Sequence, residues 1–376
     1  MYLGVGDLCG LNVGKAVSVA IGISLIAIIL GSASLMVAMD ARSGLMSEIG
    51  RLSARIRELE TGTELSRRIE AAQKEGKLVL YMVITGVEPL VAEFERRYGI
   101  KTEAVRVSTA AFLTTVLTES QAGKLEADIL QGPVDLMRIV KAENVLEKYV
   151  SSESSSYPDW AKDPDGFLQP FFSIETVSIM YNTKLVKAEE APRRYEDLID
   201  PKWRGKIVMA DPSIHATTIS WLVSLKEQVF KDEAKWTDFL KGLLAQKPTF
   251  VQSFRPVIDP VIRGEAALGI TATKYVITLA PAPIDWARIE QPTFGEPRAL
   301  GITNKALHPN AARLFVDFLL SRLGAEILAK SVGEYSLCRG VYSYIKEMDR
   351  ATVVPARSLS DTELKQWSET FRKIFF

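Results

Sequence analysis

Between Lys77 and Pro133, short apolar runs alternate with amphipathic segments, and this alternation constrains the fold more than any other feature of the 376-residue chain. Leu78-Val79-Leu80-Tyr81 predicts a buried strand, Thr85-Gly86 a turn, and Glu88-Pro89 a helix start with Leu90, Val91, Phe94 and Tyr98 facing inward. Gly99 is expected to close that helix. A second strand over 101–107, a second helix over 109–122 and a third strand at Ala127-Asp128-Ile129-Leu130 follow, running into Gln131-Gly132-Pro133. Strand-helix repeats of this kind form an α/β layer whose ligands sit beyond the carboxyl ends of the strands, where helix N-termini present free N–H groups. The Ser-rich stretch 151–165 reads as a surface loop. Beyond it, Thr176 to Tyr181, Lys206 to Ala210 and Ala266 to Ile270 predict further strands, with helices around Trp221 and Trp236, so a second βα lobe is expected.

Upstream, Ala16 to Met39 is a run without a single charge. As a helix at about 1.5 Å per residue it is long enough to cross a bilayer core of about 30 Å. A transmembrane anchor is expected; a cleaved signal peptide is the alternative, since Lys15 precedes the run and Gly31-Ser32-Ala33 is a small-residue site. Lys15 stands alone before the run while Arg42, Arg51, Arg55 and Arg57 follow it, a charge bias that by itself favours a cytoplasmic domain. Large domains, however, cross membranes largely regardless of such charges. Leu45, Ile49, Leu52, Ile56 and Leu59 then step by 4, 3, 4 and 3, the seam of a short helical stalk that Gly62 is expected to end. The 46 basic and 46 acidic residues cancel, which argues against a nucleic-acid partner, and two cysteines, Cys9 and Cys338, exclude a disulfide framework.

Six segments carry a family resemblance in a fixed order. They are 92–100 (AEFERRYGI), 127–129 (ADI), 181–184 (YNTK), 198–207 (LIDPKWRGKI), 264–269 (GEAALG) and 308–315 (HPNAARLF) running on to 318–321 (FLLS). From Lys77 to about Tyr344 the chain resembles the periplasmic solute-binding proteins of ABC importers, in particular their type II group of ferric-iron binders. The resemblance implies a two-lobed type II fold, left by the chain near Thr176 to Tyr181 and re-entered near Ala299 to Thr303, with the ligand in the cleft and closure about the hinge. The expected organisation is a tail (1–15), a transmembrane anchor (16–39), a stalk (40–62), lobe 1 (63–178 and 299–345), lobe 2 (179–298) and a C-terminal helical segment (346–376). It also implies, as partners, a small-molecule solute, a membrane permease with its ATPase and, through residues 16–39, the lipid bilayer, with the large domain outside the cytoplasm.

Ferric binders of that group hold the ion with two adjacent tyrosines, a histidine and a carboxylate, because ferric ion favours hard oxygen donors. Here the tyrosine pair aligns with Lys274-Tyr275, the histidine falls near Thr85 and the carboxylate near Gln131-Gly132, so Tyr275 is the one ferric donor the alignment keeps. The cleft candidates are Thr85, Gly86, Thr109, Gln131, Gly132, Ser213, Ser253, Lys274 and Tyr275, mostly neutral donors with Lys274 as a cation. Such a set suits a small anionic or polar organic solute, with iron or an iron chelate as the second choice. Thr85, Thr109 and Ser213 are equally apt as helix caps. His215 is expected on a helix surface and His308 at a helix start. No nucleophile elbow, phosphate loop or dinucleotide fingerprint occurs, so neither an enzyme nor a cofactor is expected, although enzymes share this fold. A sensor working through a membrane partner is the third class.

Overall fold

The structure, a computed structural model, describes residues 64–376 together with Met46, Ser47, Gly50, Arg51, Ser53 and Gly62. It divides into two units, Met1–Arg67 and Arg68–Phe376. In the first unit the described positions are helical. The apolar run 16–39 and the stalk seam at 45, 49, 52, 56 and 59 lie outside the described residues. Among the described residues no helix is long and apolar enough to cross a membrane. Gly62 does not end a helix as expected: it is itself helical, and Ser66 Oγ donates to its carbonyl at 3.0 Å. The helical residues 68–75 are closed by Gly76, whose φ of 70° is the left-handed conformation that a side chain disfavours.

The second unit begins with helical residues 68–75 (α1) and then the predicted alternation: β1 Lys77–Met82, α2 Glu88–Tyr98, β2 Lys101–Arg106, α3 Thr109–Gln121 and β3 Ile129–Pro133; a helix that was not predicted, α4 Val134–Ala142, follows directly. Gly99 closes α2 in the left-handed conformation. After the loop comes β4 Ser173–Asn182, then β5 Ile207–Ala210, α5 Ala216–Ser224, α6 Glu233–Ala245, β6 Thr249–Val251, α7 Phe254–Arg263, β7 Leu268–Ala272, α8 Tyr275–Thr278 and β8 Ile284–Trp286. The chain finishes with β9 Thr293–Ile302, α9 Pro309–Leu320, α10 Arg322–Ile327, β10 Tyr335–Ser336, β11 Val353–Pro355 and α11 Asp361–Phe375.

Two lobes share two long strands. In lobe 1, β1 pairs in parallel with β2 and β3, and β3 pairs antiparallel with β9. In lobe 2, β4 runs antiparallel to both β7 and β8, and β5 pairs in parallel with β6 and β7. The strands β4 and β9 pass between the lobes, pairing with each other from Ser173–Arg298 to Thr176–Gly295. A third crossing was not foreseen in the sequence. Ile345 and Met348 enter the lobe 2 core, β11 pairs in parallel with β9, and α11 packs Phe371 and Phe375 into the same core, so segment 346–376 is part strand and belongs with lobe 2. Lobe 2 gathers Trp221, Trp236 and Trp286, all buried, whereas lobe 1 has one core on each sheet face, around Phe94 with Phe315 and around Phe112 with Met137. Burial of apolar surface on this scale is the main stabilising term for both lobes.

Candidate functional site

The site is built where β4 and β9 cross. Their ladder sets Glu175 directly opposite Glu296, with Arg298 two residues along β9 on the same face. Glu175 lies at the centre of a buried charge cluster: Lys274 Nζ reaches it at 2.5 Å and Arg298 Nη2 at 2.5 Å. Glu334, fully buried ahead of β10, accepts from Ser173 Oγ at 3.0 Å and stands 3.7 Å from Lys274 Nζ. Burial works against ionising Glu175, but the Arg298 and Lys274 cations outweigh it and hold the carboxyl well below its usual range. The second acid differs. Among the described residues Glu296 accepts only from Thr217 Oγ1, at 3.3 Å, and sits 3.7 Å from Arg298; that cation pulls it down, but burial first, helped by Glu175 and Asp135, outweighs the pull and pushes it up to about 7.

Lobe 2 supplies one wall. The β5–α5 loop carries Ser213 and His215, and the His215 ring lies 4.5 Å from that of Phe254 at the start of α7. Arg255, next along, lies over the Tyr275 ring at 6.0 Å. His215 is not the surface histidine expected from the sequence. It caps α5, its Nδ1 accepting from Thr218 N at 3.3 Å, and its burial lowers it to about 4 although Glu175 draws it up. With that cap in place, the N–H groups of Ala216 and Thr217 make no hydrogen bond among the described residues. Ser213 is buried, its N–H held by Asp211 Oδ1 at 2.7 Å, and Ser253 opens α7 without a side-chain capping bond. The Tyr275 phenol is raised, by burial first and Glu175 second, which disfavours a phenolate in the absence of a metal.

Lobe 1 supplies the other wall, with two corrections. Gln131 and Gly132 do not lie in a loop beyond β3; they are buried within it, paired with Leu300 and Ala299 of β9, a neighbour far along the chain that extends the strand. The Gln131 Oε1 accepts from Val83 N at 3.1 Å and Ile84 N at 3.0 Å, fixing the turn that presents Thr85 and Gly86, while its buried Nε2 makes no hydrogen bond among the described residues. Those two residues share a surface cavity with Arg106 at the end of β2. Thr109 is exposed in the first turn of α3 but does not cap it; Ser108 does, accepting from Ala111 N at 3.3 Å. Lys274 needs a correction too: only 8% exposed and paired with Glu175, it is part of the hinge rather than a free cation. His308 is at a helix start as expected, bound to Asp128.

A cavity of about 190 Å³ opens between the lobes on the β9 side. Val134, Asp135, Arg138, Trp160 and Phe171 of lobe 1 line it, with Thr217 and Ser220 of α5, Glu296 and Pro297 of β9, and Pro355 to Ser358 of the third crossing. Ser358 Oγ donates to Asp135, tying that crossing to lobe 1. Sequence reasoning missed Glu175, Glu296, Arg298 and Arg106. For Glu175 and Arg298 the signal was a charge inside an otherwise apolar strand, which stays buried only when paired; Arg106, exposed at the end of β2, gave none. Among the described residues no group of three or more histidine, cysteine or acidic side chains is arranged to hold a metal.

Residues 127–355 match the family described as bacterial extracellular solute-binding protein. Iron uptake protein A1 of Synechocystis sp. is 27% identical over 270 residues, spanning 67% of this chain and 72% of that one. The periplasmic binding protein AfuA of Actinobacillus pleuropneumoniae, solved with fructose-6-phosphate, superposes with a TM-score of 0.61 at 22% identity, over 80% of this chain and 96% of its own. Iron-bound HitA of Pseudomonas aeruginosa superposes with a TM-score of 0.62 at 18% identity, over 80% and 99%.

Proposed function

Since the chain belongs to the bacterial extracellular solute-binding proteins of ABC importers, we propose that it captures a small anionic organic solute in its cleft and delivers it to a membrane permease when the lobes close. The N-terminus of α5 carries this reading. Ala216 and Thr217 hold unengaged N–H groups there, Thr217 lines the interlobe cavity, and a helix N-terminus with free donors favours an anion. Arg106, exposed at the end of β2, adds a cation from lobe 1. Closure would let one solute touch both walls, and only an interaction made better in the closed state can shift that equilibrium. The uncharged run 16–39 would hold the binding domain at the outer face of the membrane.

A ferric chelate is the second reading, favoured by Tyr275 and by the iron uptake relative. Against a bare ferric ion stands the donor set: Thr85, Gln131 and Lys274 occupy the positions where the resemblance calls for a histidine, a carboxylate and a second tyrosine. Native mass spectrometry of the protein purified without denaturation separates the readings. A co-purifying organic acid or phosphate ester is expected; one iron per chain with a tyrosinate absorption that Tyr275→Phe abolishes would replace this reading with the ferric one. Protease protection in intact cells tests the anchor: the domain is expected to be cleaved from outside and its N-terminus to stay with the membrane.

A further inference from the structure

Glu296 is the acid of the crossing strands that the cluster pairs least closely: among the described residues its one ion-pair partner, Arg298, stands 3.7 Å away and is shared with Glu175. It stands directly across the ladder from Glu175, so the two carboxyls share a face. The two cations of the cluster, Lys274 and Arg298, each lie 2.5 Å from Glu175, and Arg106, at the end of β2, donates to the Val107 carbonyl. Arg298 comes no closer to Glu296 than 3.7 Å, beyond hydrogen-bonding range. From α4, Asp135 adds a second negative charge, and Arg138, 3.5 Å from Asp135, answers that acid and Ser358. From the third crossing, Arg357 is turned to Glu363 at 3.1 Å and Glu227 at 3.5 Å. From α5 comes only the hydroxyl of Thr217. The Oε1 atom of Glu296 makes no hydrogen bond among the described residues, and the side chain lines the interlobe cavity.

We propose that Glu296 is the proton-carrying carboxyl of the interlobe cavity, and that an anionic solute binds only while that proton is in place. A neutral carboxyl offers the cavity an O–H donor; its carboxylate would present a third negative charge beside Asp135 and Glu175 to an incoming anion. The direction of its titration agrees, since burial and the two acids hold the proton on Glu296 up to about pH 7. The sign follows: solute affinity is flat below the midpoint and falls about tenfold per pH unit above it. In a compartment whose pH is set by the surroundings, such a residue makes loading depend on external acidity. The proton-binding half of this proposal is independent of the solute's identity; the solute half rests on the anionic reading above.

Infrared difference spectroscopy of the full-length protein across pH 6 to 9 reads the carboxyl without any solute. A protonated-carboxyl C=O band is expected at pH 6, lost with a midpoint near 7 and absent from Glu296→Gln. No such band in the wild type, or the same band in the variant, overturns the proposal. Should Glu296→Gln fail to fold, Asp135→Asn decides, because removing one acidic neighbour must lower the midpoint; an unmoved midpoint counts against the proposal. Calorimetry with glucose 6-sulfate, whose charge is constant over this range, then tests the link. Tenfold weakening per unit above the midpoint, flattened in Glu296→Gln, supports it, and pH-independent binding to the wild type overturns it. If the sulfate ester binds at no pH, the anionic reading of the cleft fails, while the infrared result still settles whether Glu296 carries the proton.

Discussion

Two buried carboxylates in this molecule, Asp128 and Glu175, are satisfied in opposite ways. Asp128 sits inside lobe 1, fully buried, and accepts from Val79 N at 2.8 Å, from His308 N at 2.9 Å and from the His308 ring at 2.9 Å. Its partners are mostly main-chain donors of one lobe, so it staples β1 to the start of α9 and has a single arrangement. Glu175 is held instead by Arg298 of β9 and by Lys274, which follows β7 in lobe 2, while Lys274 also faces Glu334 of lobe 1. Its partners come from every part that moves if the lobes rotate. The first arrangement specifies a fold; the second joins two bodies through charges that can be redistributed without breaking a β-ladder. Polar burial within a lobe therefore serves rigidity, and polar burial at the crossing is where the two-state element of a hinged binder is to be sought.

Replacing Glu175 is the strongest test of that contrast. Glu175→Ala leaves Arg298 and Lys274 buried without their anion, a loss of about 3–5 kcal/mol for a broken buried pair. Urea unfolding should report it as a lowered midpoint, and X-ray scattering should show an altered balance of open and closed lobes. A stable variant with unchanged scattering would mean that the cluster is ornamental and that the comparison with Asp128 has no functional content.

The counterpart, Asp128→Ala, strands the N–H groups of Val79 and His308 in the lobe 1 interior. Each unsatisfied buried group costs about 1–3 kcal/mol, and with partial relaxation we expect a total of about 2–3 kcal/mol. The unfolding midpoint should fall while the scattering profile of the folded protein stays as in the wild type. A change in lobe closure would erase the distinction between a staple and a hinge.

How much of this was legible beforehand follows the range of the forces involved. The strands and helices from Lys77 to Leu130 were readable because apolar spacing and the Gly99 stop act within a few residues. The assignment of Gln131 to a strand was not, because what extends β3 is Leu300 of β9. The third crossing was hidden for the same reason, since β11 is three residues whose only strong feature is a ladder to β9. In the candidate site, the turn at Thr85-Gly86 was read from the pattern itself and Tyr275 was pointed to by the resemblance. Glu175, Glu296 and Arg298 were not, because a charge inside an apolar strand becomes meaningful only when the partner that neutralises it, or fails to, is known.

The pH dependence of stability sharpens the contrast next. His215 is lowered by burial to about 4 from an unfolded value of 6.5, so its contribution is complete above 6.5 and is lost as the pH falls through 4. Glu296 is raised to about 7 from 4.5, so its contribution is complete below 4.5 and is lost as the pH rises through 7. Between 4.5 and 6.5 the two slopes oppose each other, and the wild type should be nearly level for these groups. His215→Asn, which keeps a capping side chain, should reveal stability that declines with rising pH, and Glu296→Gln stability that increases. Parallel melting curves from pH 4.5 to 8 would show both; slopes of the same sign in the two variants would rule out this assignment.

The smallest effect is expected at the other helix that opens toward the cleft. Ser108 caps α3 in lobe 1 as His215 caps α5 in lobe 2, but Ser108 is exposed and packs on nothing, whereas the His215 ring lies against Phe254. Ser108→Ala should therefore cost only the capping bond, about 0.5–1 kcal/mol, recovered in Ser108→Asp, whose carboxylate accepts the same N–H and meets the positive end of the helix. His215→Ala should cost more than Ser108→Ala, because the cap and the ring contact are lost together. Equal costs in urea unfolding would mean that the ring adds nothing to the wall of lobe 2 and that the two helix starts are interchangeable.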